Sequence, residues 1–380
     1  MNSVLRNLTM VVLSVGAIAI ATHANAQTTS EQTLSETVFV MTNAADRNQV
    51  ISYQKERNGS FREQRRFATG GRGSGGQIDP LQSQGSLSFN DDHTLLFAAN
   101  AGSGTVSVFR VRGPFLALVD RVDSGGSEPL AIAASGNNVY VLNGAAAGNV
   151  VAFRLDPVGH LHQIQNSTRF LSSTNAGGSS ISVSPDHRFL AVTERLTNSI
   201  DTFPIHANGT LGSIVTNASS APGVFSAAFA PDGNLLVSET GPSGVVNGST
   251  ISSYAITSSG AISVVSQSVP TFGSANCWNA ITPNGKWVYT SNAASGTISG
   301  FAIGKEGALA PIGSTVLATN PQGSANLDIA ISSDGKYLYA LDAGTGAISV
   351  FAVQSDGTLN SLSAIEGLPA AAGFNGIAAL

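Results

Sequence analysis

Two glutamates are the residues of this chain best suited to chemistry. Glu194 and Glu239 each end an apolar, β-branched segment, and glutamate is an uncommon turn residue. Two carboxyl groups that face one cavity can act as general acid and base if burial separates their pKa values. Arg195, next to Glu194, could hold an anionic substrate, or it could simply be a solvated ion partner.

Other candidates for binding lie at equivalent positions. Asn100, Asn292 and Asp342 also end apolar segments, and a ligand could use them. Asn or Asp before a small residue equally often caps a turn. Phe225 and Trp278 begin apolar segments, where they would form either an apolar platform for a ligand or part of the core.

These positions belong to a sequence repeat that occurs seven times. An apolar strand, a turn such as Pro-Asn-Gly, a second apolar strand and a Ser-rich strand follow one another, as in CWNAITPNGKWVYTSNAASGTISGF (277–301). An aromatic residue closes each copy, at Tyr53, Phe109, Phe153, Phe203, Tyr254, Phe301 and Phe351. A repeat of about 50 residues made only of strands predicts an all-β, seven-bladed β-propeller with four-stranded blades.

The first copy lacks its innermost strand. TVFVMTNAADRNQVISY (37–53) begins at the second strand, whereas FNGIAAL (374–380) resembles an innermost strand. We therefore expect residues 374–380 to pair with residues 37–42 and close the ring. In such a ring the second strands end where the innermost strands begin. We expect these side chains or their neighbours to surround one mouth of the channel, the usual place for a ligand.

The ends of the chain and its composition limit the function. Residues 1–26 resemble a cleavable signal peptide, residues 27–36 are polar, and residues 37–380 would form a single domain. We expect an exported monomer, periplasmic or extracellular, without a transmembrane segment.

The composition also limits the possible partners. A net charge of −5 argues against nucleic acid as a binding partner. Cys277 is expected to be a buried small residue, and His160 and His162 lack a third metal ligand. No cofactor or metal is expected.

Two loops stand out beside the predicted mouth. ATGGRGSGGQIDP (68–80) is rich in glycine but lacks the strand–loop–helix setting of a phosphate-binding loop. GPSGVVNGS (241–249) lengthens the connection after Glu239. Repeat proteins often place specificity in such insertions.

The sequence repeats of the predicted blades resemble those of one known family. VYTSNAASGTISGF (288–301) and LYALDAGTGAISVF (338–351) are similar to the Tyr-Val-Thr-Asn (YVTN) repeats of secreted bacterial propellers. With SPDHRFLAV (184–192) and APDGNLLVSE (230–239), residues 37–380 resemble the seven-bladed lactonases, which include 6-phosphogluconolactonases and 3-carboxymuconate cyclases. The resemblance implies a lactonase or muconate-type cyclase.

The chain departs from that family at the residues that carry the activity. Gly178-Ser179 replaces a Pro-His step, Phe225-Ser226 replaces an Arg-His step, and Asn292-Ala293-Ala294 replaces Asn-Arg-Gly, while Glu239 is retained. Two hypotheses follow. The chain is a binding module with a degenerate active site, which holds a small molecule, glycan or protein at the channel mouth. Alternatively, it is a divergent lactonase or cyclase that uses Glu239 with Glu194 and Arg195.

Overall fold

The protein folds as a seven-bladed β-propeller. The computed structural model describes residues 36–380, so the predicted signal peptide and nearly all of the polar segment lie outside the described residues. Seven antiparallel sheets follow one another around the ring, and each is a blade built on four strands. The fold class expected from the repeats is confirmed.

The strands of each blade run from the channel outwards in a fixed order. The innermost strands of blades 1 to 7 are Ile377–Ala379, Leu87–Phe89, Pro129–Ser135, Gly178–Val183, Val224–Phe229, Asn276–Ile281 and Asn326–Ile331. The second strands are Thr37–Met41, Leu95–Asn100, Asn138–Asn143, Phe189–Glu194, Leu235–Glu239, Trp287–Asn292 and Tyr337–Asp342.

The outer half of each blade completes the sheet. The third strands are Gln49–Lys55, Thr105–Arg112, Asn149–Leu155, Ser199–Pro204, Thr250–Ile256, Thr297–Ile303 and Ala347–Val353. The outermost strands are Phe61–Ala68, Phe115–Asp123, Leu161–Gln163, Val215–Ala218, Ile262–Pro270, Leu309–Thr319 and Leu359–Ser361. In blade 3 a further short strand, Arg169–Phe170, pairs with the same third strand. The helices among the described residues are the 3₁₀ turns Ala101–Ser103 and Lys305–Gly307.

The ring closes as the incomplete first repeat predicts. Val38, Phe39 and Val40 pair with Ala379, Ala378 and Ile377. This pairing gives blade 1 its innermost strand from the C-terminal end of the chain, so the first and last blades share no open sheet edge at the channel. Phe374, Ile377 and Ala379 pack in one apolar cluster with residues of blades 1 and 7.

Successive side chains of each strand point to opposite faces of the blade, so the apolar core lies between adjacent blades. The seven closing aromatic residues lie on the third strands and are buried. We call the rim where the second strands end the upper rim, and the opposite rim the lower rim. At the lower rim, Gly335 N–H donates to Ser332 O, and Gly335 has φ +74°, a conformation that favours glycine. The Ser-Pro-Asp-Gly type of turn therefore defines the lower rim.

Candidate ligand site at the upper rim

Glu239 lies inside blade 5. Its fully buried carboxylate accepts hydrogen bonds from five groups. These donors are Ser219 Oγ, Ala221 N, Thr250 Oγ1, Ser252 Oγ and Tyr254 OH, at 2.6–3.3 Å. A carboxylate with this many donors ties the second strand to the third strand and to the connection before the blade. Its assignment as a catalytic residue stays a prediction.

Glu194 forms a buried carboxyl pair with Asp201 of the neighbouring strand. Burial and the charge of Glu194 raise the pKa of Asp201 to about 8. Hydrogen bonds from Asp201, Ser172 and Thr197 outweigh the effect of burial and lower the pKa of Glu194. The two shifts favour a protonated Asp201 next to an ionised Glu194. The pair lies within blade 4, and the acid–base role suggested for Glu194 also stays a prediction.

Asn100, Asn292 and Asp342 are likewise fully buried at the ends of their second strands. Each is bonded to a serine of its own third strand. The pairs are Asn100 with Ser107 (2.8 Å), Asn292 with Ser299 (2.8 Å) and Asp342 with Ser349 (2.5 Å). The structure places these side chains inside the blades rather than at the channel mouth, and their proposed binding roles stay predictions.

Glycines in the preceding connections make this arrangement possible. A Cβ atom on Gly71 would lie 2.4 Å from Cγ of Asn100, and one on Gly273 would lie 2.3 Å from Cγ of Asn292. Such distances exclude any side chain at either glycine. The connection can therefore lie directly on the buried amide, which supports the turn-capping alternative raised from the sequence.

The channel itself is crossed by residues 79–86, which we call the strap. Gln84 N–H donates to Ser179 O of blade 4, and its side-chain Nε2 donates to Asn279 O of blade 6. Ser83 Oγ donates to Leu130 O of blade 3 at 3.0 Å. The strap therefore bridges non-adjacent blades and divides the channel. A cavity of about 280 Å³, lined in part by Gln84 and Gly85, lies on its lower side.

Trp278 contacts the strap, and Phe225 packs against Trp278. The indole Nε1 of Trp278 donates to Ser83 O at 3.0 Å, and the Trp278 and Phe225 rings meet edge to face at 5.0 Å. Both side chains are buried. Of the two alternatives left open for them, the structure favours packing: they form part of the channel wall beneath the upper rim.

Arg195 is the residue among the sequence candidates that reaches the channel mouth. Its charge interacts with Asp79 at the start of the strap and with Cys277 of blade 6, two blades away around the ring. Burial lowers the pKa of Arg195, and these two neighbours partly offset that effect. Within residues 36–380, Arg195 Nε is buried without a hydrogen-bond partner. The guanidinium therefore lies over the strap with donor capacity that the protein leaves unused.

Asp79 is the acid nearest to that guanidinium in the strap. Burial raises the pKa of Asp79 to about 7, against the hydrogen bonds from Asn375 and Gln82 and the charge of Arg195. Asn375 Nδ2 donates to Asp79 Oδ1 at 3.2 Å. An acid whose pKa is raised towards neutrality, within electrostatic range of a partly buried cation, is a common feature of functional sites. The Arg195–Asp79 pair is the candidate ligand site.

Two further ionisable side chains lie below the pair. Burial raises the pKa of Asp328 to about 8, and the charge of Asp79 adds to that effect. Burial also raises the pKa of the Cys277 thiol, so this cysteine stays protonated, as expected for a small buried residue. In residues 36–380 no group of three or more His, Cys, Asp or Glu side chains could hold a metal ion.

Loop 68–80 stands out in the sequence, but its residues did not predict a role for Asp79 or the course of the strap. Residues 69–86 join blade 1 to blade 2, whereas the short segment 124–128 joins blade 2 to blade 3. That difference in length was a visible signal that this connection covers more than the gap between two blades. The meeting of Asp79 with Arg195 had no signal, because the two residues lie in connections of blades that are not neighbours.

The comparison with known proteins supports the resemblance. Residues 147–247 match the family described as Lactonase, 7-bladed beta-propeller. The resemblance to the seven-bladed lactonases is confirmed. No curated protein sequence matches the chain. Within the described part of the chain, no helix is long and apolar enough to cross a membrane.

Solved structures of lactonase-type propellers have the same fold. A putative 6-phosphogluconolactonase from Bacteroides uniformis ATCC 8492 is 18% identical with a TM-score of 0.68, over 91% of this chain and 99% of that chain. The periplasmic gluconolactonase PpgL from Pseudomonas aeruginosa is 16% identical with a TM-score of 0.66, over 89% and 98%. At these identities the likeness shows the fold alone.

Proposed function

We propose that the protein is an exported binding protein that holds a small carboxylate-bearing molecule at the upper rim. The observation that carries the proposal is the buried, unpartnered Nε of Arg195 over the strap. A planar guanidinium binds a carboxylate through two parallel hydrogen bonds, and partial burial strengthens such a bond. Positions 178–179, 225–226 and 292–294 lack the His and Arg residues that the family resemblance implies, so Arg195 is the candidate cation among the residues proposed from the sequence.

Replacement of the guanidinium tests the proposal. Butanoate, a simple monocarboxylate, is titrated into the wild-type protein and into Arg195→Gln at pH 6 by calorimetry. We expect the variant to bind at least ~10-fold more weakly, because a charge-assisted hydrogen bond contributes roughly 1.5–3 kcal/mol. Arg65→Gln, an exposed arginine on the outermost strand of blade 1, is the control. Equal affinity of wild type and Arg195→Gln would refute the site.

Lactone hydrolysis is the second candidate, and the titration of Asp79 near neutrality favours it. An ionised Asp79 could take a proton from water as the water oxygen bonds to the acyl carbon. Arg195 would stabilise the resulting oxyanion. The ring C–O bond then breaks, and the proton passes from Asp79 to the leaving alkoxide to give a hydroxy acid. Glu239 would first have to exchange its five donors for substrate, so Asp79 is the better-placed base.

Opposite pH dependences separate the two candidates. Above about pH 7 an ionised Asp79 competes with a ligand carboxylate for Arg195, so binding of butanoate should weaken as pH rises from 6 to 8. Hydrolysis that uses Asp79 as a base should accelerate over the same range. We expect weaker butanoate binding at pH 8, no turnover of glucono-δ-lactone or δ-valerolactone, and little pH dependence of binding in Asp79→Asn. Turnover that rises with pH and is lost in Asp79→Asn would establish the lactonase instead.

Export is part of the proposal. It rests on the charged, apolar and small-residue regions of residues 1–26, and the periplasmic location named for the Pseudomonas propeller is consistent with it. Mass spectrometry of the protein purified from fractionated bacterial cells should find a chain that begins at Gln27, in the periplasm or the medium. A chain that keeps residues 1–26 in the cytoplasm would contradict export.

A further inference from the structure

We infer that the ligand at Arg195 is amphiphilic, with a carboxylate or lactone head and an aliphatic chain. This inference rests on the proposed function and names its ligand class. Its basis is a set of exposed apolar side chains beside the Arg195–Asp79 pair. Leu196 follows Arg195 directly and is 63% exposed, and Ile78 precedes Asp79 directly and is 47% exposed.

The apolar surface continues around the upper rim from Leu196. Val245 and Val246, in the insertion after Glu239, are 53% and 81% exposed, and Phe272 is 56% exposed. We call Leu196, Val245, Val246 and Phe272 the apolar arc. Large apolar side chains exposed together in connecting loops usually mark a binding surface, because water contact with them is unfavourable.

Hydrogen bonds join the successive connections that carry the arc. Gly223 N–H donates to Asn198 Oδ1 at 2.6 Å and links the turn of Leu196 to the connection before blade 5. Gly241 N–H donates to Pro222 O at 3.1 Å and links that connection to the insertion. Asn247 N–H donates to Ser274 Oγ at 2.8 Å and links the insertion to the segment of Phe272. The connections that carry the arc are therefore linked to one another from the turn after Glu194 to the segment before blade 6.

The chemistry of Arg195 and of the apolar arc determines which class of ligand fits the site. Arg195 requires an acceptor that carries negative charge or develops it, whereas the arc offers a hydrophobic surface with no charged side chain among its four members. A polyhydroxylated acid would satisfy Arg195 but would place hydroxyl groups against Leu196 and Val246. An aliphatic chain would cover these side chains and gain free energy with each methylene group buried.

A chain-length series tests the inference. Acetate, butanoate, hexanoate and octanoate are titrated at pH 6 by calorimetry, together with gluconate as the polyhydroxylated comparison. We expect affinity to rise about twofold or more for each added methylene, since full burial of one corresponds to about 0.8 kcal/mol, or roughly fourfold. Gluconate should bind no more tightly than acetate.

Surface variants locate the aliphatic chain of the bound ligand. Leu196→Ser and Val246→Ser, both at exposed positions, should flatten the dependence of affinity on the length of the aliphatic chain. Phe170→Ser, at an equally exposed position on blade 3, is the control and should keep the full dependence. Arg195→Gln should weaken binding throughout the series.

The outcomes separate this inference from the proposed function. Carboxylate binding that depends on Arg195 but not on chain length would overturn the amphiphilic ligand and keep the site. The absence of any carboxylate binding would refute the proposed function itself. Octanoate binding that is unchanged in Arg195→Gln would also overturn the inference. So would a dimer in sedimentation that Val246→Ser dissociates, because the arc would then cover a second copy.

Discussion

At the scale of single residues, similar strand-end positions serve different purposes. Glu239, Glu194, Asn100, Asn292 and Asp342 turn into their blades and bind the third strands, whereas Arg195, one residue beyond Glu194, reaches over the channel. The difference follows from chemistry. Hydroxyl and main-chain N–H groups donate to the carboxylates of Glu239 and Glu194 within their blades, whereas a guanidinium carries only donors and needs acceptors, which it can find in a ligand carboxylate.

Glu239→Gln tests whether the buried carboxylate is structural. Glutamine keeps one acceptor oxygen but directs an NH₂ group at donors such as Thr250 and Ser252. We expect the free energy of unfolding to fall by about 2 kcal/mol or more in urea denaturation. Glu366→Gln, at an exposed position, is the control. An unchanged unfolding midpoint in Glu239→Gln would leave a catalytic role as the better explanation for this carboxylate.

At the scale of elements, the closure strand and the strap depend on each other. Ile377–Ala379 completes blade 1, and Asn375, just before it, bonds to Asp79 and to Ser86. The element that closes the ring therefore also positions one residue of the candidate site. A change in the closure strand should therefore alter the position of Asp79, because Asn375 is bonded to that residue.

Removal of residues 374–380 should strongly destabilise the protein. The deletion removes the buried side chains of Phe374, Ile377 and Leu380, each corresponding to roughly 1.5–3 kcal/mol of apolar burial, and exposes a sheet edge. We expect the melting temperature to fall by at least ~10 °C. Ile377→Ala should give a smaller fall if the deletion variant does not fold, and Leu362→Ser, at an exposed position, should have little effect. A deletion variant with an unchanged melting temperature would contradict closure by this strand.

The sequence predicted the strands well, but it predicted less of the site. Alternating apolar strands repeat seven times, and Asp-Gly or Asn-Gly turns join the first two strands in the last three copies, so the blades and the closing strand could be placed from local pattern alone. The strap has no period, and its course depends on contacts such as Trp278 with Ser83 that join distant parts of the chain. The inward direction of Glu239 depends on donors from two other segments, the connection before blade 5 and the third strand. Neither feature is encoded in the spacing of residues.

At the scale of the whole molecule, buried acids couple stability to pH. The pKa values of Asp79, Asp201, Asp328 and Asp342 are raised to about 7, 8, 8 and 6, mainly by burial. In the unfolded chain each would titrate near 3.9. The folded state therefore keeps protons that the unfolded state has released, and stability falls as pH rises through the folded-state values.

The melting temperature should therefore be higher at pH 6.5 than at pH 8. Burial lowers the pKa of His93, which favours the folded state as pH rises, so this one histidine partly opposes the trend set by the four acids. Scanning calorimetry at the two pH values measures the difference, which should shrink in Asp201→Asn and in Asp328→Asn because each removes one proton that the folded state retains. A melting temperature that is equal or higher at pH 8 would show that these acids are ionised in the folded protein.

We expect the upper rim, at Arg195, to receive a carboxylate. A crystal structure of the protein grown with butanoate at pH 6 tests it most directly. We predict density for the carboxylate within hydrogen-bonding distance of the Arg195 guanidinium, with the aliphatic chain directed towards Leu196. Butanoate bound instead at Glu239 or in the cavity below the strap, or an Arg195 guanidinium that remains without ligand at saturating butanoate, would contradict the account.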